Sequence, residues 1–228
     1  TYMDSFVEIG CSMRYAATLI TLFVIVTSVC NAQETVDKET VDSLVARLAS
    51  KNKPPKTRGP SAVYPKGYDQ EGQEDIFLAY RELCKLGPKA FPFIIPHLGD
   101  KRYSLTADGG AADVNFTVGQ LCFSAIDLQL QPYKTYSRGE GDPRNRPSRP
   151  HYLAKLDLRD PAKTQDWIDS LKNKTLLQLQ IEVLEWVIEE ESKDRTKYPA
   201  VEHDWLHETL ETLKKAEEPL PSGVPWAK

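Results

Sequence analysis

Two histidines four positions apart, His203 and His207, are the residues of this chain best suited to chemistry. Residues at i and i+4 lie on one face of a helix, so these imidazoles can bind one metal ion between them, and Glu211 continues the stripe with a carboxylate. Such a ligand set accepts zinc, which can activate a water molecule for hydrolysis. The chemistry indicated is that of a metal-dependent hydrolase.

The histidine pair resembles the H-E-x-x-H motif of zinc proteases, with one departure. Asp204 stands where the motif has the glutamate that acts as general base, and its side chain is one methylene shorter. In addition, His203 and His207 fall away from the apolar face of their helix, to which Leu210 belongs. We therefore expect two solvated histidines, no cofactor and no catalytic residue, with a zinc site as the alternative.

A second candidate is the basic segment, which runs from Tyr133 to Tyr152 and whose prolines and glycines exclude a regular helix. Arginine and tyrosine are frequent at binding hot spots, and recognition residues concentrate on loops held by a scaffold. The segment predicts contact with an anionic ligand, such as a sulfated polysaccharide, or with the acidic patch of a partner protein. The alternative is a solvated loop whose arginines pair with acidic helix ends. The candidate ligand-binding residues are Tyr136, Arg138, Arg144, Arg146 and Arg149.

Cys84 and Cys122 are the cysteines that remain if the N-terminal segment discussed below is removed. An oxidising compartment would permit a disulfide between them. Both lie on apolar helix faces, so two buried free thiols are the alternative. Catalysis by either thiol would require a histidine base, and His97, in the same region, has no orienting carboxylate in the sequence around it.

Helical periodicity dominates the segments that must position these residues. No stretch alternates between apolar and polar residues for long enough to predict a strand, so the expected fold class is all-α. The helix over 175–191 is apolar on nearly all sides, which predicts a central, buried helix. The predicted helices cover 36–49, 74–86, 88–98, 115–131, a segment from 160 onward, 175–191 and 200–217.

The predicted organisation is one compact helical domain with irregular ends. An amphipathic helix and a linker rich in proline, glycine and lysine occupy 33–73, the helical domain covers 74–217, and an irregular tail covers 218–228. Pro96 lies inside a predicted helix and should kink or shorten it, because proline lacks the backbone N–H and clashes with the preceding turn.

The stretch from Leu83 to Ser104 resembles one unit of a HEAT-type helical repeat. In that family a helix ends in Leu-Gly, and a second helix opens with Ala-x-Pro and closes in Leu-x-Asp before an arginine. Pro96 departs from the pattern, and no second copy is visible. The residues that match are Leu86-Gly87, Ala90-x-Pro92, Leu98-x-Asp100 and Arg102.

This resemblance implies antiparallel helix pairs that present a surface for binding or scaffolding. One repeat unit cannot bury its own apolar face, so neighbouring helices must complete the core. The whole chain also resembles exported bacterial proteins of no assigned activity, which implies a location and no reaction.

The N-terminal residues have the features of an export signal. Arg14 precedes an uncharged and largely apolar stretch from Tyr15 to Val29, and Ala32 is a small residue at a position that a signal peptidase reads. We infer that 1–12 lie upstream of the true start at Met13 and that 13–32 are a signal peptide. The protein is then periplasmic or extracellular. An uncleaved N-terminal membrane anchor is the alternative, although the apolar stretch is shorter than the roughly 20 residues that span a bilayer.

Charge and composition limit the kinds of partner that the protein can bind. The formal net charge is −4, so the chain has no global positive field and we expect no nucleic-acid partner and no membrane span in the mature chain. Hydrophobic residues make up 40% of the chain, which is enough for one core. The sequence therefore predicts a non-catalytic exported helical protein that binds a protein or an anionic ligand, with a metal-dependent hydrolase that uses His203 and His207 as the alternative.

The export signal makes a direct prediction about the processed chain. Because the apolar stretch ends at Val29 and Ala32 is small, the mature N-terminus should lie within a few residues of Gln33. N-terminal sequencing of protein recovered outside the cytoplasm measures this. Recovery of 13–30 still attached to protein in the membrane fraction would support the anchor instead.

Overall fold

A computed structural model describes residues 36–57, 61–108, 113–131, 152–158, 160–193 and 200–220. Over these ranges the chain is mostly helical, with one two-stranded sheet. The predicted signal peptide lies outside them. None of the helices in these ranges has the length and apolar character that a membrane span requires. The elements are α1 (Lys38–Arg47), α2 (Glu71–Leu83), α3 (Phe91–Ile94), β1 (Tyr103–Asp108), β2 (Asp113–Thr117), α4 (Val118–Leu130), α5 (Tyr152–Lys155), α6 (Pro161–Leu171), α7 (Leu176–Lys193) and α8 (Ala200–Lys215).

Local side chains determine where several helices begin. Asp37 caps α1 by accepting a backbone N–H at 2.7 Å. Thr117 and Gln120 form a reciprocal capping box at the start of α4, and Asp160 caps α6 just before its first-turn proline. A capping side chain satisfies N–H groups that have no partner within the helix, so these residues fix the helix starts from sequence alone.

The β-hairpin corrects the all-α expectation. β1 and β2 pair antiparallel, with Tyr103 opposite Thr117 and Thr106 opposite Asn115. The predicted helix over 115–131 therefore begins only at Val118, and the residues before it belong to β2. The register shifts between Tyr103 and Thr106. Such a bulge interrupts the alternation of buried and exposed side chains, which is why a search for regular alternation missed the strand.

The stretch that resembles a HEAT unit contains the end of one helix, a turn and a second helical segment. α2 ends at Leu83, Gly87 turns the chain with a φ of 72°, and a second helical segment follows from Pro88 to His97. Within that segment α3 ends at Ile94 and a 3₁₀ turn follows, so the predicted shortening at Pro96 is confirmed. Both α2 and α3 pack against α1, and α2 also contacts α4.

The arm, which we define as residues 50–57 and 61–70 between α1 and α2, packs on the β-hairpin. The backbone N–H of Ala62 donates to the carboxylate of Asp113, and Nδ2 of Asn115 donates to the carbonyl oxygen of Pro55 at 2.9 Å. Pro55 is therefore held against the sheet, and Pro65 and Gly67 lie in a turn closed by the bond from the N–H of Tyr68 to the carbonyl oxygen of Pro65.

A chain of hydroxyl groups also joins the arm to the hairpin. Thr106 Oγ1 donates to Asn115 Oδ1 at 2.7 Å, so it must accept from Tyr103, whose hydroxyl lies 2.7 Å away. Tyr103 in turn accepts from the hydroxyl of Tyr68 at 2.6 Å. Because each hydroxyl has one proton to donate, the direction of the whole chain is fixed. The arm is thus held by oriented side-chain bonds as well as by backbone contacts.

α7 is less buried than α4, contrary to the prediction that it is the central helix: seven of the 18 residues of α7 are buried, against eight of the 13 residues of α4. α7 contacts α4, α5 and α8. Val183 belongs to the main apolar cluster, whereas Leu184 and Val187 pack with Leu206 and Leu213 of α8 in a second cluster. Val183 and Val187 lie four residues apart on one face of α7, so a single apolar face of this helix joins the two clusters.

Two buried glutamines connect the helices through their amide groups. Gln129 Oε1 accepts the backbone N–H of Gly87 at 2.9 Å. Gln180, which has no exposed surface, donates from Nε2 to the carbonyl oxygens of Gln129 and Leu220, each at 3.0 Å. Gln180 Oε1 accepts the N–H of Leu220 at 3.0 Å. These bonds tie α4, α7 and the chain after α8 to one another.

The substitution Gln180→Leu tests this connection. Leucine has a similar size but makes none of the three hydrogen bonds, so the partner groups lose their bonds and the free energy of unfolding should fall by about 1–3 kcal/mol. Urea denaturation measures the loss, and faster hydrogen exchange at the Leu220 amide would locate it. The matched control is Gln165→Leu on the exposed side of α6, which should change stability by no more than about 0.5 kcal/mol. Equal effects of the two variants would show that the buried amide is dispensable.

Candidate functional site

The structure shows how the basic segment is attached at its two ends. The predicted ligand-binding residues, Tyr136, Arg138, Arg144, Arg146 and Arg149, lie outside the described residues. At the first end, Gln131 is buried, and its backbone N–H and Nε2 donate to Asp127 at 2.9 and 2.6 Å. At the second end, Tyr152 is 3% exposed. Both ends of the segment therefore begin from fixed, buried positions.

Tyr152 is fixed by one hydrogen bond and one ring contact, both to α7. Its hydroxyl donates to Glu182 Oε1 at 2.7 Å, and its ring meets Trp186 edge to face with the centroids 5.6 Å apart. Burial raises the pKa of Tyr152 and the bond to Glu182 raises it further, so the hydroxyl keeps its proton and remains a donor. α5 is thereby held on α7 directly after the basic segment.

Two lysines surround this contact. The ammonium of Lys155 lies 5.4 Å from the ring centroid of Tyr152 and 5.1 Å from that of Trp186, within cation–π range of both. Lys174 donates to the second carboxylate oxygen of Glu182. Two ammonium groups thus adjoin one carboxylate, so the C-terminal end of the basic segment continues into a locally positive surface.

Glu182 acts as a structural anion in this arrangement. Burial alone would raise its pKa, but the hydrogen bonds from Lys174 and Tyr152 and the nearby charge of Lys155 outweigh that cost and leave the pKa below its ordinary value. A carboxylate that is ionised and bonded at both oxygens is a poor general base at neutral pH. The cluster can hold a loop and attract an anion, and it offers no proton-transfer group tuned for catalysis.

The predicted metal residues are only partly brought together. His207 and Glu211 are exposed and lie four residues apart on an open face of α8, beside Glu208, Thr212 and Lys215. The side chain of His203 lies outside the described residues. Among the side chains that the structure describes, no three histidine, cysteine, aspartate or glutamate residues converge as a metal site would require.

Cys84 and Cys122 are free, buried thiols in the structure, as the alternative to a disulfide predicts. Burial raises the pKa of Cys84 and of Cys122 to about 12, so both are protonated at neutral pH and neither is a reactive thiolate. His97 does have a carboxylate partner, contrary to expectation: its Nε2 lies 3.2 Å from Asp42 Oδ1. That partner comes from α1, which is distant in sequence.

Comparison with protein-family models, with curated proteins and with solved structures finds no match. The roles assigned to residues therefore rest on geometry. The sequence analysis missed Lys155, Glu182 and Trp186. The one signal that could have found them is the carboxylate of Glu182, a charged residue early in a helix that is otherwise apolar on nearly all sides.

The substitution Glu182→Gln tests the ionic part of this cluster. Glutamine still accepts the bond from Tyr152 but carries no charge for Lys174, so the variant should be less stable at pH 7 by up to about 1 kcal/mol, because the pair is partly exposed. The folded-state pKa of Glu182 is lowered, so its stabilising effect is present above its ordinary value of 4.5 and is lost as the pH falls through the folded value.

Urea denaturation at pH 7 and well below pH 4 measures the difference between wild type and Glu182→Gln. We expect a gap at pH 7 that closes in acid. The control is Glu217→Gln, an exposed carboxylate after α8, which should show no comparable gap. A gap of the same size at both pH values would mean that the charge of Glu182 is not what stabilises the cluster.

Proposed function

We propose that this protein is a non-catalytic, exported helical module that binds an anionic ligand through its basic segment. The observation that carries the proposal is the anchoring of that segment, which leaves the core at Gln131 and returns to it at Tyr152. A segment attached at both ends presents its arginines within a restricted region, and this lowers the conformational entropy that binding must remove.

The electrostatics of the attachment point support the same function. Lys155 and Lys174 extend the positive charge of the segment onto the folded surface, while the chain as a whole is acidic. An anionic polysaccharide or the acidic patch of a partner protein would therefore be recognised locally. Arginine adds bidentate hydrogen bonds to sulfate and carboxylate groups, which gives the contact geometric specificity.

The scaffold that we propose for this site is an arrangement of HEAT-like antiparallel helix pairs. The motif residues between Leu83 and Ser104 support the first pair, formed by α2 and the helical segment from Pro88 to His97. α1 lies against both members and takes the place of a neighbouring repeat. In such a scaffold the helices bury one another and the connecting segments are available for recognition.

A metal-dependent hydrolase remains the second candidate, because His207 and Glu211 are exposed on one face of α8. Stoichiometric zinc in purified protein that is lost on His203→Ala would favour this candidate over anion binding. The buried thiols and the ionised Glu182 offer no competing catalytic group among the described residues.

The triple substitution of Arg144, Arg146 and Arg149 by alanine tests the binding proposal. The wild-type protein should be retained on immobilised heparin, a sulfated polysaccharide, and should elute with salt, because salt screens the contact. The triple variant should bind roughly tenfold or more weakly, since several charge-assisted hydrogen bonds are lost. Its circular dichroism and melting temperature should match those of wild type.

The matched control replaces Arg81, Lys85 and Lys89 by alanine, which are exposed cations on and after α2. This control changes the net charge by the same amount without altering the basic segment, so its elution should stay close to that of wild type. Equal elution of wild type and the Arg144, Arg146 and Arg149 variant would show that the basic segment is only a solvated connection. Equal losses in both variants would show a non-specific charge effect.

A further inference from the structure

A surface distinct from the basic segment is formed by the arm. Lys51, Lys53, Lys56 and Lys66 are all exposed. Within the part of the chain that the structure describes, Lys53, Lys56 and Lys66 form no ion pair. The arm is therefore a second basic surface, in addition to the basic segment at 133–152. Its residues belong to the region that was predicted to be a linker.

The carboxylates beside the arm are engaged within the protein. Asp69 accepts the backbone N–H of Gly72 at 2.9 Å, and Asp113 accepts the N–H of Ala62. Asp75 pairs with Arg47 at 2.6 Å. The bond to Arg47 lowers the pKa of Asp75, and the nearby charge of Lys51 lowers it further. Asp69 and Asp113 thus bond to backbone N–H groups of α2 and of the arm, Asp75 is paired with Arg47, and the four lysines outnumber the one carboxylate of the arm, Asp69.

Two apolar side chains are exposed among these lysines. Val63 is 65% and Tyr64 is 42% exposed. Val63 is paired directly with Lys56 in an antiparallel bridge, so the aliphatic and the ammonium side chains lie on the same side of the backbone. The ring of Tyr64 meets that of Tyr68 edge to face at 4.8 Å, and Tyr68 is bonded to the hairpin. The arm thus presents an aliphatic side chain and an aromatic ring on a supported turn.

We propose that the arm is a docking surface for anionic lipid bilayers. Lysines attract an anionic headgroup layer, tyrosine favours the interface between headgroups and acyl chains, and an exposed valine gains free energy by leaving water. Because it lacks the planar fork of arginine, lysine suits a diffuse layer of headgroups better than one shaped anion. A hydrated polysaccharide would offer no apolar environment for Val63. This surface and the proposed binding through 133–152 are independent of each other.

Sedimentation of the purified protein with vesicles tests the proposal. Vesicles of phosphatidylglycerol and phosphatidylcholine in equal amounts should bind the protein, binding should weaken with salt, and phosphatidylcholine alone should not bind it. The N-terminus of the protein is first identified by sequencing, because a retained apolar segment at 15–29 would also bind neutral vesicles.

The first variant replaces Lys53, Lys56 and Lys66 by glutamine. A lysine near an anionic surface strengthens partitioning about fivefold, so the three together should account for a loss on the order of 100-fold. The matched control replaces Lys85, Lys89 and Lys215, exposed lysines elsewhere, and should bind within a few-fold of wild type. Equal binding by the arm variant and wild type would overturn the proposal.

The second variant, Val63→Ser with Tyr64→Ser, tests insertion separately from charge. It should bind roughly tenfold more weakly at every salt concentration, because the lost contribution is apolar. Unchanged binding by this variant would overturn insertion of the arm. Two further results would contradict a lipid bilayer as the partner of the arm. One is that the wild type does not bind the anionic vesicles. The other is that the wild type forms a dimer in sedimentation velocity and the lysine variant does not. Matching circular dichroism of all variants excludes misfolding as the cause.

Discussion

The bonds made by the buried amides of Gln129 and Gln180 are the constraint on which the packing of this protein depends. A buried amide that lacks partners costs free energy, so each glutamine fixes the groups around it. The side chain of Gln129 accepts a hydrogen bond from the backbone N–H of Gly87. The side chain of Gln180 donates to the carbonyl oxygen of Gln129 and accepts the N–H of Leu220. The ends of elements far apart in sequence are thereby held at defined positions around α4 and α7. Apolar contacts supply most of the stabilisation, and the hydrogen bonds of the two side-chain amides determine how the helices are positioned relative to one another.

A close backbone contact sets the position of the hairpin relative to α4. The N–H of Gly119 donates to the carbonyl oxygen of Asp100 at 3.0 Å, and that of Val118 donates to Arg102 at 2.9 Å. A Cβ at position 119 would lie 2.4 Å from the carbonyl oxygen of Leu98, so only glycine permits this approach. The turn at Leu98 to Asp100 is thus joined directly to the start of α4, and β1 follows this turn in the chain.

The two positive surfaces have different physical characters. At Tyr152 the charge is built around an ionised carboxylate and two aromatic rings, which orient the lysines. In the arm, Lys53, Lys56 and Lys66 are exposed, form no ion pair with any residue that the structure describes, and lie near exposed apolar side chains. An oriented site favours one shaped ligand, whereas a dispersed one favours an extended surface. Both lie on a chain whose net charge is −4, so each acts through its local field.

The sequence by itself determined the features that depend on nearby residues. The start of α6 followed from Asp160 and the proline after it, and the break at Pro96 followed from its missing N–H. Each of these depends on hydrogen bonds or periodicity within a few residues, so no distant partner is needed to predict them.

Tertiary structure alone decided the rest. The strand at 103–108 exists because 113–117 pairs with it, and a bulge hides its alternation. The arm is ordered because Tyr68 and Pro55 bond to the hairpin, and Asp42 reaches His97 only once α1 packs against the segment from Pro88 to His97. Likewise, Glu182 gains its role only when Tyr152 and Lys174 meet it. These contacts join residues that are distant in sequence, and a single sequence contains no local pattern that records which distant groups will meet.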